Sequence, residues 1–128
     1  MKSLILLMLV FSLMAMDDVT PPSVTHTVPS ADSQGIDPAL GEIRVSFDEK
    51  MMPGSWSWAT RGVDAFPEIT GSPRWEADQR TAVLPVSLKP GVTYEIMINS
   101  PKHRNFKDAA GNPAAPYALR FTTRGQGS

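Results

Sequence analysis

The sequence LKPGVTYEIMIN, residues 88–99, decides the fold because a turn and a strand follow one another in it. Pro90 and Gly91 are turn formers, so the chain is expected to reverse direction there. Tyr94 opens a strand six residues after Leu88, with its ring on the core face and its hydroxyl free to bond upstream backbone. This spacing is typical of the tyrosine corner of Greek-key β-sandwiches.

Three segments alternate apolar and polar residues at a period of two, which predicts strands with one buried and one wet face. They are residues 42–48, 94–99 and 117–122, and we expect all three to be central strands. The predicted inward side chains are Ile43, Val45, Phe47, Tyr94, Ile96, Ile98, Tyr117, Leu119 and Phe121, and the predicted outward ones of the second segment are Glu95, Met97 and Asn99.

Residues 81–88 also alternate, with Ala82, Leu84, Val86 and Leu88 on the predicted core face. Pro85 has no N–H to donate to a ladder, so this strand is expected at a sheet edge or at a bulge. Weaker strand signals lie at residues 24–28, 56–59 and 68–77. Together these segments predict an all-β, immunoglobulin-like antiparallel β-sandwich of about seven strands with Greek-key connections.

The composition excludes several classes of protein. All 12 prolines lie after residue 20, so a helical bundle or a long coiled coil is excluded. The chain has 12 basic and 13 acidic residues, a balance that argues against nucleic acid as a partner. It has no cysteine, which removes disulfides, thiol catalysis and thiolate metal sites. No cofactor is expected.

The N-terminal residues have the layout of a secretory signal peptide. Lys2 precedes an apolar run from Leu4 to Met16 that is interrupted only by Ser12, and the run is too short for a stable membrane span. We therefore expect a signal peptide at 1–16, a linker at 17–22, a sandwich domain at 23–124 and a flexible tail at 125–128. The mature chain would have no membrane span and would be secreted, periplasmic or at the cell surface; an uncleaved N-terminal anchor is the alternative.

Three segments carry a resemblance to a known family: residues 43–51, residues 88–94, and the pair formed by Asp108-Ala109-Ala110-Gly111-Asn112-Pro113 and the closing Phe121-Thr122-Thr123. In this order they resemble the bacterial Ig-like domain of the S-layer type (SbsA Ig-like), over about Thr20 to Arg124. The resemblance implies a β-sandwich and a non-catalytic module of exported or cell-surface proteins, often a spacer or adhesion unit beside other domains.

The tryptophans are candidates for a ligand face. Trp56 and Trp58 are two residues apart, so they share a face if the segment is a strand, and Trp75 is expected nearby. Exposed indole rings in sandwich modules can stack on the apolar faces of sugar rings. The alternative is that at least one of these tryptophans fills the core between the sheets.

The loop containing Asp108, Gly111 and Asn112 has two interpretations. Its side-chain oxygens could contribute to a Ca²⁺ site, with Asp48 or Glu49 from another turn, although calcium requires six to eight oxygen ligands. Asp and Asn beside Gly are also common turn formers, and we expect a turn here.

Residues 102–107 form the only basic cluster. It could contact an acidic partner or a polysaccharide, or it could be a solvated loop anchored against the core by Phe106. The cluster contains Lys102, His103, Arg104, Asn105, Phe106 and Lys107.

No residue pattern indicates catalysis. The only histidines are His26 and His103, and Ser100, which is close to His103, lacks the glycine-flanked elbow of a nucleophilic serine. We predict that the chain is not an enzyme, and that it is an exported Ig-like module for surface or periplasmic interaction or structural spacing. The alternative is a carbohydrate-binding module that uses Trp56 and Trp58. The partner is expected to be a protein or a polysaccharide.

Overall fold

The computed structural model describes residues 19–126; the predicted signal peptide and the last two residues of the predicted tail lie outside this range. The described chain is built from nine strands and contains no helix. The strands are β1 (Val24–Val28), β2 (Ser33–Ile36), β3 (Glu42–Phe47), β4 (Trp58–Ala59), β5 (Glu68–Ile69), β6 (Arg74–Trp75), β7 (Thr81–Ser87), β8 (Thr93–Ile98) and β9 (Tyr117–Thr123).

The strands form two sheets, which confirms the predicted Ig-like all-β sandwich. One sheet has the order β1-β3-β7-β5, with β6 also paired to β7, and the other has the order β2-β9-β8-β4. The predicted central strands β3, β8 and β9 are all internal to their sheets. All pairs are antiparallel except β2 with β9, which is parallel, so the second sheet is mixed.

The core lies between the inner faces of the two sheets. Alternate residues of β3 and β7 meet alternate residues of β8 and β9, as the period-two pattern predicts. Each fully buried aliphatic or aromatic side chain contributes roughly 1.5–3 kcal/mol to folding. The buried core residues of these four strands are Ile43, Val45, Phe47, Ala82, Leu84, Val86, Tyr94, Ile96, Ile98, Leu119 and Phe121.

Strand β7 is internal to its sheet, so the prediction of an edge strand is wrong, and its pairing is interrupted at Pro85 on one side only. Strand β7 pairs with β3 in unbroken register on one side and with β5 and β6 on the other. The Val86 N–H donates to the Gly41 carbonyl on the β3 side (2.9 Å), so the nitrogen of Pro85 faces the opposite side. There β5 and β6 are separated by the turn at Gly71, and an added Cβ at Gly71 would lie 3.3 Å from Pro85 Cγ. Pro85 therefore lies at the gap between two short strands, where no N–H is required.

The prediction that β8 has a wet outer face is also wrong. Glu95, Met97 and Asn99 are buried like their inward neighbours. The loop after β4 covers this face: Glu95 N–H donates to the Ala65 carbonyl (2.9 Å), and Arg61 Nε donates to the Glu95 carboxylate (2.8 Å). The second face of this strand is therefore also buried, although two of its three residues are polar.

The strand count exceeds the predicted seven for two local reasons. The single strand expected over residues 68–77 is split into β5 and β6 by its turn. Strand β2 was not predicted, since Ser33–Ile36 lacks alternation and includes Gly35 at a φ of 68°.

The turn between β7 and β8 has the geometry of a tyrosine corner. The Lys89 backbone N–H donates to the Tyr94 hydroxyl at 2.8 Å, and the Thr123 hydroxyl donates to the Lys89 carbonyl at 2.6 Å. Gly91 has a φ of 66°, which a residue with a side chain adopts only at a cost, and its N–H donates to the Arg124 carbonyl. Leu88 is buried beneath this turn.

The loops divide between two ends of the sandwich. One end of the sandwich contains the first residues of β1, β7 and β9 and the last residues of β3 and β8. This follows from antiparallel pairing of β1 with β3, of β3 with β7 and of β8 with β9. We call this the entry end, since β1 begins there; it carries loop residues 48–57 and 99–116. The opposite exit end carries the tyrosine corner and the end of β9.

Candidate functional site

The candidate site lies at the entry end, where loop 99–106 leaves β8. Asn99 starts this loop with a φ of 63°, a backbone conformation that Asn tolerates better than most residues. Its side chain is fully buried, donates to the carbonyls of Phe106 (2.8 Å) and Ala114 (2.9 Å), and accepts from the Phe106 N–H (2.9 Å). Asn99 thus fixes both ends of the loop that carries the basic residues.

The outer part of this loop is a tight turn. The Ser100 N–H donates to the His103 carbonyl at 2.8 Å, and the His103 N–H donates back to the Ser100 carbonyl at 3.2 Å. The His103 N–H also donates to Ser100 Oγ at 3.2 Å, so the Ser100 hydroxyl oxygen accepts a backbone hydrogen bond within the turn. This arrangement gives Ser100 a role in the turn and leaves the imidazole exposed at its tip.

A second segment, residues 55–59, is joined to the loop by hydrogen bonds. The Asn105 N–H donates to Ser57 Oγ at 2.9 Å, and the Ser55 hydroxyl donates to the Asn105 carbonyl. The Asn99 N–H donates to the Ser57 carbonyl at 3.0 Å. Ser55 and Ser57, which flank Trp56, therefore hold the two walls of the site together, a role that the sequence pattern did not reveal.

The three tryptophans meet around Phe106. Trp56 stacks on Trp75 with ring centroids 5.3 Å apart and planes 16° apart, and Trp58 meets the fully buried Phe106 edge to face at 4.8 Å and 89°. Trp75 also meets Phe106 nearly perpendicularly, at 6.2 Å. All three indoles pack against the core and remain partly exposed. They are therefore both core-packing residues and residues with accessible surface.

A groove with a volume of about 430 Å³ opens between the two segments. Trp56 and Trp58 line it from the β4 segment, and His103 and Asn105 line it from the loop. Ser57, Ala59 and Thr60 complete the lining. The structure thus brings Trp56 and Trp58 together with His103 and Asn105 of the basic cluster, which are more than 40 residues away in the sequence.

A second cavity, of about 370 Å³, lies at the exit end beside the tyrosine corner. Its lining includes Phe66, Val92 and Tyr94, together with Glu68 and Lys89. It has no exposed tryptophan and no cluster of like charges.

The Asp108 carboxylate is engaged by its own loop and by Glu49. Its oxygens accept hydrogen bonds from the Asn112 backbone N–H (2.8 Å) and from Asn112 Nδ2 (3.0 Å), and the Gly111 N–H donates to the Asp108 carbonyl. Burial raises the pKa of Asp108, but hydrogen bonds with Glu49 and Asn112 outweigh it and hold this pKa below its usual value. Asp108 is therefore held by its own turn and by Glu49 of the neighbouring loop 48–57, the two residues that the calcium interpretation would bring together.

The other candidate residues are not assembled into a reactive site. His26 lies exposed on β1, whereas His103 lies in the loop after β8. In the range 19–126 no three His, Asp or Glu side chains lie where they could hold a metal ion. The same residues include no helix of the length and hydropathy needed to cross a membrane.

The fold and the site define a β-sandwich of the immunoglobulin type with a loop groove at one end. The model of the family described as "Bacterial Ig-like domain" matches residues 18–123, and the chain belongs to this family. No curated protein sequence matches the chain.

Two solved S-layer structures resemble the fold. One is the crystal structure of the S-layer protein rSbsC(31-844), with a TM-score of 0.51 and 20% identity. The other is the structure of surface layer protein SbsC, domains 1-6, with the same values. In both cases the match covers 82% of this chain and 14% of the S-layer chain, so the matched part is about one seventh of each of those chains.

Proposed function

We propose that this chain is an exported, non-catalytic Ig-like module that works at the cell surface or in the periplasm. The observation that carries the proposal is the family match over residues 18–123, which includes every strand of the sandwich. The apolar N-terminal run after Lys2 supports export, and the likeness to S-layer domains supports a surface location. Within the family, we assign the chain to the S-layer (SbsA Ig-like) type.

The role we propose is interaction or spacing, without chemistry. Ser100 and Asp108, the residues that catalysis or metal binding would require, hold their own turns in the described structure. Ser57 and Asn99 likewise position backbone. The polar side chains of the site thus serve to hold loops in fixed positions, as a binding or spacer module requires.

Export can be tested by expressing the full chain with a C-terminal epitope tag in a bacterial host and treating intact spheroplasts with protease. We expect the tagged protein outside the cytoplasm and accessible to protease. Leu7→Arg, which places a charge in the apolar run, should retain the protein inside, whereas the matched Leu7→Val should not. Retention of the unmodified chain in the cytoplasm would overturn the proposal.

A second function, carbohydrate binding, is favoured by the groove. Trp56 and Trp58 line it with partly exposed indoles, and Trp75 supports Trp56 from behind. A pyranose ring could stack there, because the indole surface is apolar while groove residues such as Asn105 offer polar groups. Soluble glycans should then change the tryptophan fluorescence; an unchanged spectrum over a panel of neutral and acidic glycans would reject this function.

A further inference from the structure

The walls of the groove are held in place by hydrogen bonds before any ligand arrives. Asn105 is bonded through its N–H to Ser57 and through its carbonyl to Ser55, so the loop wall and the β4 wall are joined directly. Asn99 fixes the base of the loop through three buried bonds. A preformed site loses little conformational entropy on binding, which favours recognition of even a small ligand.

The shape of the groove favours a ring over a lipid surface. Its apolar surface comes from Trp56 and Trp58, which are half-buried and anchored on Trp75 and Phe106. Insertion into a bilayer would require protruding apolar side chains near the groove. Among residues 19–126, however, the exposed large hydrophobic side chains are Val19, Val63 and Ile69, none of which lines it.

The loop beside the groove carries cations that have no carboxylate partner. Lys102 and Arg104 flank His103 on the exposed turn, and neither forms an ion pair with any residue that the structure describes. Most arginines of this chain behave differently. Those that pair with a carboxylate are Arg44, Arg61, Arg74, Arg120 and Arg124. His103 and Asn105 line the groove, and Lys102 and Arg104 are their exposed neighbours in the same loop.

We propose that the groove binds a uronic-acid polysaccharide, with a sugar ring against Trp56 and Trp58 and its carboxylate beside Lys102 and Arg104. This inference rests on the second function proposed above and specifies the charge of its ligand. A uronate carries its carboxylate on the ring itself, so the apolar face and the negative charge lie within one sugar unit. That arrangement suits indoles in the groove lining and exposed cations on the adjoining loop, whereas a phosphodiester polymer places its charge between rings.

The test is a titration of the full chain with oligogalacturonate, followed by tryptophan fluorescence and calorimetry, and a parallel titration with its fully methyl-esterified form. The acid form should bind at least about tenfold more tightly at low salt, and the difference should shrink as salt screens the charges. Equal affinity for the two forms would overturn the inference while leaving carbohydrate binding intact. No binding of either form would overturn both.

Variants of the loop cations and of Trp56 locate the site. Lys102→Ala/Arg104→Ala should weaken binding of the acid form about tenfold and leave the ester unaffected, since exposed charge contacts contribute modestly and are screened. The matched control Lys89→Ala/Arg124→Ala removes the same charge at the exit end and should leave the affinity unchanged. Trp56→Phe, which keeps an aromatic ring against Trp75, should weaken the binding of both the acid and the ester. Loss of binding in the control variant, or anionic vesicles binding as tightly as the oligosaccharide, would contradict the proposal.

Discussion

At the scale of single residues, Asn99 joins three parts of the molecule through one buried side chain. It lies at the end of β8 and bonds the backbone of Phe106 and of Ala114, on two separate parts of the following loop. A buried amide of this kind satisfies backbone groups that no strand partner reaches. The position of the loop beside the groove therefore depends on Asn99.

Replacing Asn99 by Ala should lower the free energy of unfolding by about 3 kcal/mol or more, because three buried backbone groups lose their partner. Ala is also less tolerant of the positive φ at this position. Urea denaturation measures the effect. Asn105→Ala is the control, since only the backbone of Asn105 bonds to Ser55 and Ser57, and it should change stability by less than about 0.5 kcal/mol. An unchanged urea midpoint for Asn99→Ala would contradict this role.

Replacing Tyr94 by Phe should lower the free energy of unfolding by about 1–2 kcal/mol, because the Lys89 N–H loses the hydroxyl that accepts its hydrogen bond. Both side chains fill the core similarly, so the change isolates the hydroxyl. Tyr117→Phe is the matched control. Its hydroxyl makes no hydrogen bond within the described residues, and the effect should be near zero. Equal effects in the two variants would show that the corner bond contributes nothing to stability.

At the scale of strands and loops, the covering of β8 by loop 60–66 is the main departure from a simple sandwich. Arg61 reaches back to Glu95 and Arg120 on β9 donates to Asp64 at 2.8 Å, so two ion pairs hold the loop over the sheet. The hydrogen bond from Arg61 holds the pKa of Glu95 below its usual value of 4.5, against the opposing effect of burial.

The pH dependence of stability follows from this lowered pKa. Glu95 is more acidic in the folded state than in the unfolded state, so its ionised form stabilises the fold. This contribution to the free energy of unfolding is complete above about pH 4.5 and is lost as the pH falls through the lowered pKa. Arg61→Ala should lower the urea midpoint at pH 7 and abolish this acid-induced loss of stability, since burial without the guanidinium raises the pKa of Glu95 and its protonation then no longer destabilises the folded state. Arg104→Ala, at an exposed position without an ion pair among the residues that the structure describes, is the control. Identical pH profiles for Arg61→Ala and the unmodified chain would contradict this.

The strands differ in how well the sequence predicts them. β3, β8 and β9 follow from alternation alone, because inward and outward positions repeat every two residues in any strand. β2 does not, since Ser33–Ile36 has no apolar period and is tied to its neighbours by backbone bonds from Asp32 to the Arg120 carbonyl and from Arg124 to the Ile36 carbonyl. Pro85 indicated an edge because the sequence does not show that its partner strand is interrupted at that point.

At the scale of the whole molecule, the sandwich has a conventional core between its sheets and an aromatic cluster at the entry end. Phe106 connects the two, since it contacts Phe47 of β3 at 5.6 Å as well as Trp56, Trp58 and Trp75. The groove walls are therefore continuous with the core. Binding at the groove would be expected to stabilise the whole domain by mass action.

The candidate site could be predicted from the sequence only in parts. Trp56 and Trp58 stood out by their spacing, and Lys102 to Lys107 by their charge. Their meeting depends on the bond from Asn105 to Ser57, across 48 residues, and on the pairing of β6 with β7, which brings Trp75 to Trp56. Neither contact has a local sequence signature, because both follow from the tertiary fold.

The central proposal is that this chain is an exported surface module, and the most direct measurement is the N-terminal sequence of the protein recovered outside the cytoplasm. The account predicts a mature N-terminus near Asp17, with residues 1–16 removed and the sandwich intact. Recovery of the chain only from the cytoplasm, with Lys2 still attached, would contradict it.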